Sequence, residues 1–386
     1  MKTILEVTGK MNRGGAETML VDIIKQTYKD FNYIFLINEK SNNKIGDYDE
    51  ILKKYNCKFY YIGTVWSMGI SAYTKEFIKV CKKIEEEYGK IDIVHCHMNS
   101  KCGTVLRAAK KAGIERRIAH SHAEIKFNGN IIKVLANYSE LYFQKILINK
   151  YATDYWGCSE KALPSLYTSK NIKSEKCKII KNAIEIQKFI NVKKEEIEEN
   201  RIRLKIPKDK IIVGTVGRIA RVKNIKFIIE VFKRLHEKYE NTCLIIVGSE
   251  QDKEYTQIIK KIISEYKLEK DIIFTGVQEK LESIYPIFDV FLGASLREGL
   301  GLVAVEAQAS KVPCVLSTGF PKEVDINLGL VDFVGDYDII KWNEIIEKKL
   351  RKKREISNKI LIKNLTTCGY NISEEVLKVK QEYEKS

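Results

Sequence analysis

The chain has 386 residues, 44% of them hydrophobic, with 22 glycines and 5 prolines, a length and balance that predict two globular domains and exclude a disordered or collagen-like chain. No apolar run reaches the roughly 18 residues of a membrane helix, and Met1-Lys-Thr-Ile-Leu5 enters a strand without a signal-peptide pattern, so a cytoplasmic protein is expected. Net charge is +16, of which +12 falls in residues 1–190 and +4 in 191–386; this suits an anionic partner, but no basic-aromatic reader motif accompanies it and nucleic acid is not expected.

In chain order, residues 2–8 read as a strand, followed by Gly9 to Thr18 and a helix with apolar Met19, Leu20, Ile23 and Ile24 at helical spacing. Gly14 and Gly15 stand where that strand gives way to the helix, the place where doubly wound sheets hold anionic groups; glycines that only make a tight turn are the other reading. Neither a G-x-G-x-x-G fingerprint nor a P-loop is present. Apolar runs at 32–37, 58–62, 91–96, 116–121, 154–158 and 177–184 predict further strands, with helices between, hence a parallel sheet covered on both faces.

Two of these strands end in His95-Cys-His97 and His120-Ser-His122, and strand alternation puts both members of each pair on one face. Zinc ligation and hydrogen-bonded structural histidines are both readings of this pattern; no third-ligand carboxylate or cysteine pattern accompanies it, and structural zinc sites need four ligands. Residues 126–150 form an amphipathic segment, either a helix with one solvated side or a surface lying on anionic lipid. Nine cysteines without a C-x-x-C, several in strand-like runs (Cys96, Cys158, Cys243, Cys314), predict reduced, buried thiols.

The second half begins with a charged helix at 193–203 and a strand at 211–217. Arg218 and Lys223 follow where that strand leads into a helix; there a guanidinium fork and an ammonium can neutralise a diphosphate, or be surface cations, with Arg221 between them read as solvated. Strands at 242–248 and 271–276 come next, the latter ending in Gly276-Val277. The run 288–292 leads into Ser295-Leu-Arg-Glu298-Gly299-Leu300-Gly301-Leu302, a helix carrying Glu306, and a new strand at 312–316. Eight residues of helix span about 12 Å, so Glu298 sits in the loop and Glu306 about two turns along. Loop glycines and a helix N-terminus suit a polyhydroxylated ligand carrying phosphates. A basic helical run at 341–364, including 348–354, and a closing helix at 372–385 complete the chain.

The two glutamates in Ser295-Leu-Arg-Glu-Gly-Leu-Gly-Leu-Val-Ala-Val-Glu-Ala-Gln-Ala309 resemble the signature of the large retaining glycosyltransferase family with the GT-B fold, the fourth in the usual sequence classification. Glu306-Ala-Gln-Ala309 and Pro321-Lys-Glu-Val324 are most similar to its exopolysaccharide and capsule-assembly members. The resemblance implies an α/β protein of two Rossmann-like doubly wound parallel-sheet domains facing a cleft. Residues 1–184 would form the acceptor-side domain, 185–365 the nucleotide-sugar domain, and 366–386 a helix crossing back to the first.

The implied reaction moves a hexosyl or N-acetylhexosaminyl group, with retention, from a nucleoside-diphosphate sugar, UDP first, to a glycan or polyprenyl-diphosphate-linked acceptor. By resemblance, Arg218 and Lys223 hold the diphosphate, Glu306 the ribose, Glu298 with Gly299, Leu300, Gly301 and Leu302 the donor sugar, and Val277 the base. Gly14 and Gly15 lie against donor phosphates and acceptor, and His122 stands near the reacting carbon; Glu298, His122, Arg218 and Lys223 form the catalytic set. With two cations in place, neither metal nor other cofactor is expected, and Asp47-x-Asp49 and Asp336-x-Asp338 read as surface carboxylates. The basic first half allows peripheral contact with the inner face of an anionic membrane. Lys311 stands where the family's helix ends in glycine, so that helix is expected to end differently. A non-catalytic sugar-nucleotide-binding partner subunit and a sugar-nucleotide epimerase of similar fold are the rival readings.

Overall fold

The structure, a computed structural model, describes residues 1–386 except 13, 40–45, 128–129, 352–354 and 386. Arg13, Asn128, Gly129 and, of the basic run 348–354, Lys352, Lys353 and Arg354 therefore lie outside the described residues. The chain divides into two compact units, Met1–Ala183 with Ile372–Ser386, and Ile184–Asn371.

The first unit holds seven strands: β1 (Lys2–Thr8), β2 (Phe31–Asn38), β3 (Lys58–Ile62), β4 (Ile93–Cys96), β5 (Arg116–Ser121), β6 (Asp154–Gly157) and β7 (Cys177–Ile179). They pair in parallel in the order β3-β2-β1-β4-β5-β6-β7. Such sheets are buried on both faces, which is why β1 carries the short buried apolar run Ile4, Leu5 and Val7. Leu5 and Val7 join one core with Tyr73, Phe77 and Leu106, and Ile4 joins the opposite core with Met19, Trp156 and Tyr383. Glu6 interrupts that run and is fully buried.

The helix Ile372–Glu384 covers the second of these cores. Ile372, Val376, Val379 and Tyr383 recur at helical spacing and are buried. Tyr383 stacks on Trp156 with ring centroids 5.7 Å apart, the Glu375 carboxylate accepts the Lys181 N–H at 2.9 Å, and Arg116 donates to the Glu382 carbonyl at 2.6 Å.

The second unit holds β8 (Ile211–Val216), β9 (Thr242–Val247), β10 (Ile272–Gly276), β11 (Val290–Gly293), β12 (Cys314–Ser317) and β13 (Val331–Val334), all parallel in the order β10-β9-β8-β11-β12-β13. In both sheets the order reverses beside the first strand, between β1 and β4 and between β8 and β11, the place where open α/β sheets bind ligands. Strand β13 was not foreseen, because Asp332 breaks an already short apolar run. The run at 341–364 is two helices, Ile339–Arg351 and Asn358–Thr367, the second capped by the Ser357 hydroxyl.

Three further expectations are corrected. Lys311 adopts φ +63°, with its N–H on the Gln308 carbonyl and the Val312 N–H on that of Ala307, both at 2.9 Å, so the helix ends in the glycine-type left-handed turn with lysine in the glycine's place. Asp49 is buried and accepts the Gly46 N–H at 2.9 Å; it is no surface carboxylate. Arg221 is not simply solvated: it pairs with Asp252 and Glu254 at 3.4 and 3.2 Å and lies over the Tyr255 ring.

Candidate functional site

In the second unit the site is built at the ends of β8 and β11. After β8 the chain passes Gly217 and Arg218, makes one tight turn over Arg221–Lys223, and starts the helix Ile225–Lys238 from Asn224 at φ +52°. Asparagine tolerates that left-handed conformation better than most residues, which explains Lys223-Asn224 at this turn. The turn is tied to the loop after β11 by the Leu296 N–H on the Val222 carbonyl at 2.8 Å, and that loop to the one after β12 by the Glu298 N–H on the Gly319 carbonyl at 2.9 Å. A Cβ on Gly319 would overlap the Ser295 carbonyl oxygen, so glycine is required where these loops touch.

The loops bring Lys223 and Glu298 together. The Lys223 ammonium lies 2.5 Å from the Glu298 carboxylate, which also accepts the Ser295 hydroxyl at 2.6 Å. Arg218 is exposed and has no ion pair among the described residues. Gly299 is exposed and a Cβ there would meet nothing within 4 Å. Gly301 takes φ +73° and begins the helix Leu302–Ala309; a Cβ on it would stand 2.6 Å from the Phe320 ring. Leu300 and Leu302 are half-buried, and Val277, after β10, is exposed.

Glu306, on the helix, accepts the Tyr285 hydroxyl at 2.7 Å. Burial, reinforced by the Glu306 carboxylate, holds the Tyr285 hydroxyl well above its usual pKa, so Tyr285 is a donor throughout the working pH range. Ser295 and Tyr285 were not read from the sequence as site residues. Their roles depend on which carboxylates the fold sets beside them.

In the first unit, Gly14 caps the helix Gly15–Thr27 in extended conformation. The four histidines gather on one face of β4 and β5, with stacked ring centroids of His120 and His122 4.1 Å apart. His95 Nε2 lies 3.1 Å from His120 Nδ1, and His97 Nδ1 lies 2.8 Å from His122 Nε2. His97 Nε2 lies 2.8 Å from the Glu6 carboxylate, and His95 Nδ1 2.5 Å from the Tyr383 hydroxyl, which itself donates to Glu6 at 3.1 Å. Ligand atoms of His95, His97 and His120 fall within 4.8 Å of one another, near enough for a metal, but the imidazole nitrogens named above already face one another, a carboxylate and a phenol. Burial pushes the Glu6 carboxyl up to about 8, and pushes His97 down to about 3, with His95, His120 and His122 also well below the usual range. Glu6 was missed in sequence; a lone carboxylate between the apolar Ile4-Leu5 and Val7 was the available signal.

Two all-parallel α/β units of this topology, with the helix Ile372–Glu384 belonging to the first, have the GT-B fold. Residues 196–364 match the family model for Glycosyl transferases group 1, and the chain is a glycosyltransferase. It is 28% identical over 386 residues to EpsF of Bacillus subtilis (strain 168), a glycosyltransferase by name, spanning 97% of this chain and 94% of EpsF. It is 27% identical over 325 residues to the UDP-Gal:alpha-D-GlcNAc-diphosphoundecaprenol alpha-1,3-galactosyltransferase of Escherichia coli, covering 80% of this chain and 79% of that one. The crystal structure of Anabaena HepE in complex with UDP superposes with a TM-score of 0.77 at 16% identity, over 99% of each chain.

Proposed function

We propose that this glycosyltransferase moves a sugar from a UDP-sugar, with retention at the anomeric carbon, to a lipid-linked glycan acceptor in the assembly of a cell-surface polysaccharide. The observation that carries the reading is the Lys223–Glu298–Ser295 cluster at the reversal point of the second sheet, with exposed Arg218 on the same loop as Lys223. As the glycosidic bond breaks, negative charge grows on the departing diphosphate, and cations already in place stabilise it without reorganising. Arg218 and Lys223 take that role. Glu298 and the backbone of Gly299 to Leu302 receive the sugar hydroxyls, Glu306 the ribose, and Val277 flanks the base. Gly14 and Gly15 serve the donor phosphates and the acceptor, and His122 the reacting carbon.

UDP as the nucleotide is supported by the HepE complex and by the donor in the Escherichia coli relative's name. That relative's name also supports a diphosphate-lipid acceptor. The surface of the first unit suits it. The helix Ile131–Tyr151 buries Leu141, Gln144, Leu147 and Ile148 but leaves Ile131, Ile132, Leu135 and Tyr142 more than 60% exposed. An open groove of about 910 Å³ runs beside it, lined by Leu135, Tyr138, Tyr142 and Lys145 among others. Apolar side chains with lysines interspersed fit the boundary of an anionic bilayer.

The test is transfer from UDP-glucose, UDP-galactose and UDP-N-acetylglucosamine to polyprenyl-diphosphate sugars, with the anomeric configuration of the product read by NMR. Turnover with inversion refutes the mechanism. Absence of both turnover and thermal stabilisation by every UDP-sugar refutes the donor. Sedimentation with phosphatidylglycerol vesicles but not phosphatidylcholine vesicles, lost in Ile132→Ser/Leu135→Ser, tests the membrane contact.

A further inference from the structure

We propose that Glu6, His97 and His122 form a proton relay in which the buried Glu6 carboxyl sets which form of His122 Nδ1 is presented, so that Glu6 and His97 are positioning residues for His122. The links are short and continuous: Glu6 Oε2 to His97 Nε2 at 2.8 Å, then His97 Nδ1 to His122 Nε2 at 2.8 Å. The chain ends at His122 Nδ1, which is shielded from solvent and has no hydrogen-bond partner among the described residues. The other ring nitrogen, Nε2, faces His97, and that bond selects which form of Nδ1 is presented.

Hydrogen-bond direction then has two consistent settings. With Glu6 protonated, its O–H donates to His97 Nε2, His97 Nδ1–H donates to His122 Nε2, and His122 Nδ1 carries a proton. With Glu6 ionised, every bond reverses: His97 Nε2–H donates to the carboxylate, His122 Nε2–H donates to His97 Nδ1, and His122 Nδ1 offers a lone pair. The conversion balances. A basic oxygen of substrate or solvent takes the proton from His122 Nδ1, His97 passes its Nδ1 proton to His122 Nε2, and Glu6 passes its proton to His97 Nε2. Three N–H or O–H bonds break, three form, and the single negative charge rests on Glu6.

The surroundings favour this charge over any on the rings. Glu6 is faced by His95 from β4 and His97 just after it, Tyr383 from the helix Ile372–Glu384, Tyr33 from β2, and the thiols Cys57 and Cys96, all neutral near pH 7. The cation whose field reaches His95 and Tyr383, Arg116, is paired with Asp154 at 3.0 Å. Burial places the Glu6 proton near 8 while keeping all four histidines neutral, so within the working range the relay changes by one proton at one residue.

The use of the relay in sugar transfer rests on the role proposed for His122; its existence does not, and the experiment separates the two. In the full chain with ring-labelled histidine, NMR shifts report which ring nitrogen of His122 is protonated, read two pH units either side of the Glu6 value of about 8. Wild type is expected to pass from the Nδ1–H to the Nε2–H form. Glu6→Gln, whose amide donates to His97 as the protonated acid does, is expected to keep the Nδ1–H form at both. In transfer assays the change in kcat across this range vanishes in Glu6→Gln while donor KM holds. An unchanged His122 tautomer in wild type overturns the relay and needs no variant to fold. The same switch persisting in folded Glu6→Gln also overturns it. A switch in a protein that transfers no sugar upholds the relay and rejects the transfer reaction.

Discussion

Lys223 and Glu298, 75 residues apart in the chain, close to an ion pair of 2.5 Å, and both are mostly withdrawn from water, at 17% and 11% side-chain exposure. The pair fixes the Lys223 ammonium in the turn after β8 before any ligand arrives. Removing one partner of a pair this far from solvent costs more than breaking the surface pairs of this chain, which are worth about 0–1 kcal/mol, because it leaves a charge without its counter-ion.

Removing the lysine therefore has two consequences. Lys223→Ala leaves Glu298 with the Ser295 hydroxyl and without its counter-ion, and is expected to lower stability by about 1–3 kcal/mol. Transfer should fall by about 100-fold or more, since one pre-placed group on a departing oxyanion contributes that much. Denaturant midpoint and kcat/KM, measured on the same preparation, check both, with circular dichroism showing that the fold survives.

Tyr285→Phe removes the hydroxyl that Glu306 accepts at 2.7 Å and leaves the ring in its core. The carboxylate then loses one orienting bond, worth about 1 kcal/mol, or roughly fivefold in affinity. Donor KM is expected to rise by about that factor with kcat nearly unchanged. An effect on kcat alone would place Glu306 at the reacting centre.

Lys311→Gly should stabilise the second unit. Lysine at φ +63° holds a left-handed conformation that costs an L-residue roughly 1–2 kcal/mol, partly offset by the greater freedom of glycine in the unfolded chain. A net gain of about 0.5–1 kcal/mol in denaturant unfolding is expected, with activity unaltered.

The stability of the first unit should depend on pH with opposing limbs. Four histidines held neutral by burial charge on unfolding below their ordinary value of 6.5, so stability rises with pH up to there. Glu6, raised from 4.5 to about 8, keeps a proton that the unfolded chain releases, so its contribution falls as pH rises through that window. Below 6.5 four groups outweigh one, and between 6.5 and about 8 Glu6 acts alone. Melting temperature is expected to peak near pH 6.5, and in Glu6→Gln the descent above the peak should flatten.

Strand positions and sheet type were legible because parallel strands, buried on both faces, appear as apolar runs; Arg116–Ser121 and Lys58–Ile62 fall where those runs predict. Strand β13 escaped because Asp332 interrupts four residues. That each histidine pair shares a face followed from strand alternation; that the two pairs meet depends on β4 pairing with β5. Their partners did not follow from alternation, since Tyr383 bonds Glu6 across 377 residues and no local pattern encodes so distant a pairing. The Lys223 and Glu298 positions could be read from loop motifs, whereas Ser295 and Tyr285 are ordinary residues until the loops fold against them.

The helix Ile372–Glu384 completes the first unit from the far end of the chain, after the second unit has returned on itself at Ile184 and Tyr370, whose backbone groups bond at 3.0 Å. On the ribosome, Glu6 therefore emerges long before the phenol that will shield it. Synthesis of the entire second unit separates the two events. Until then the nascent sheet must keep a carboxylate and a cluster of imidazoles wet, and the first unit acquires its dry interior only once Tyr383 has been made.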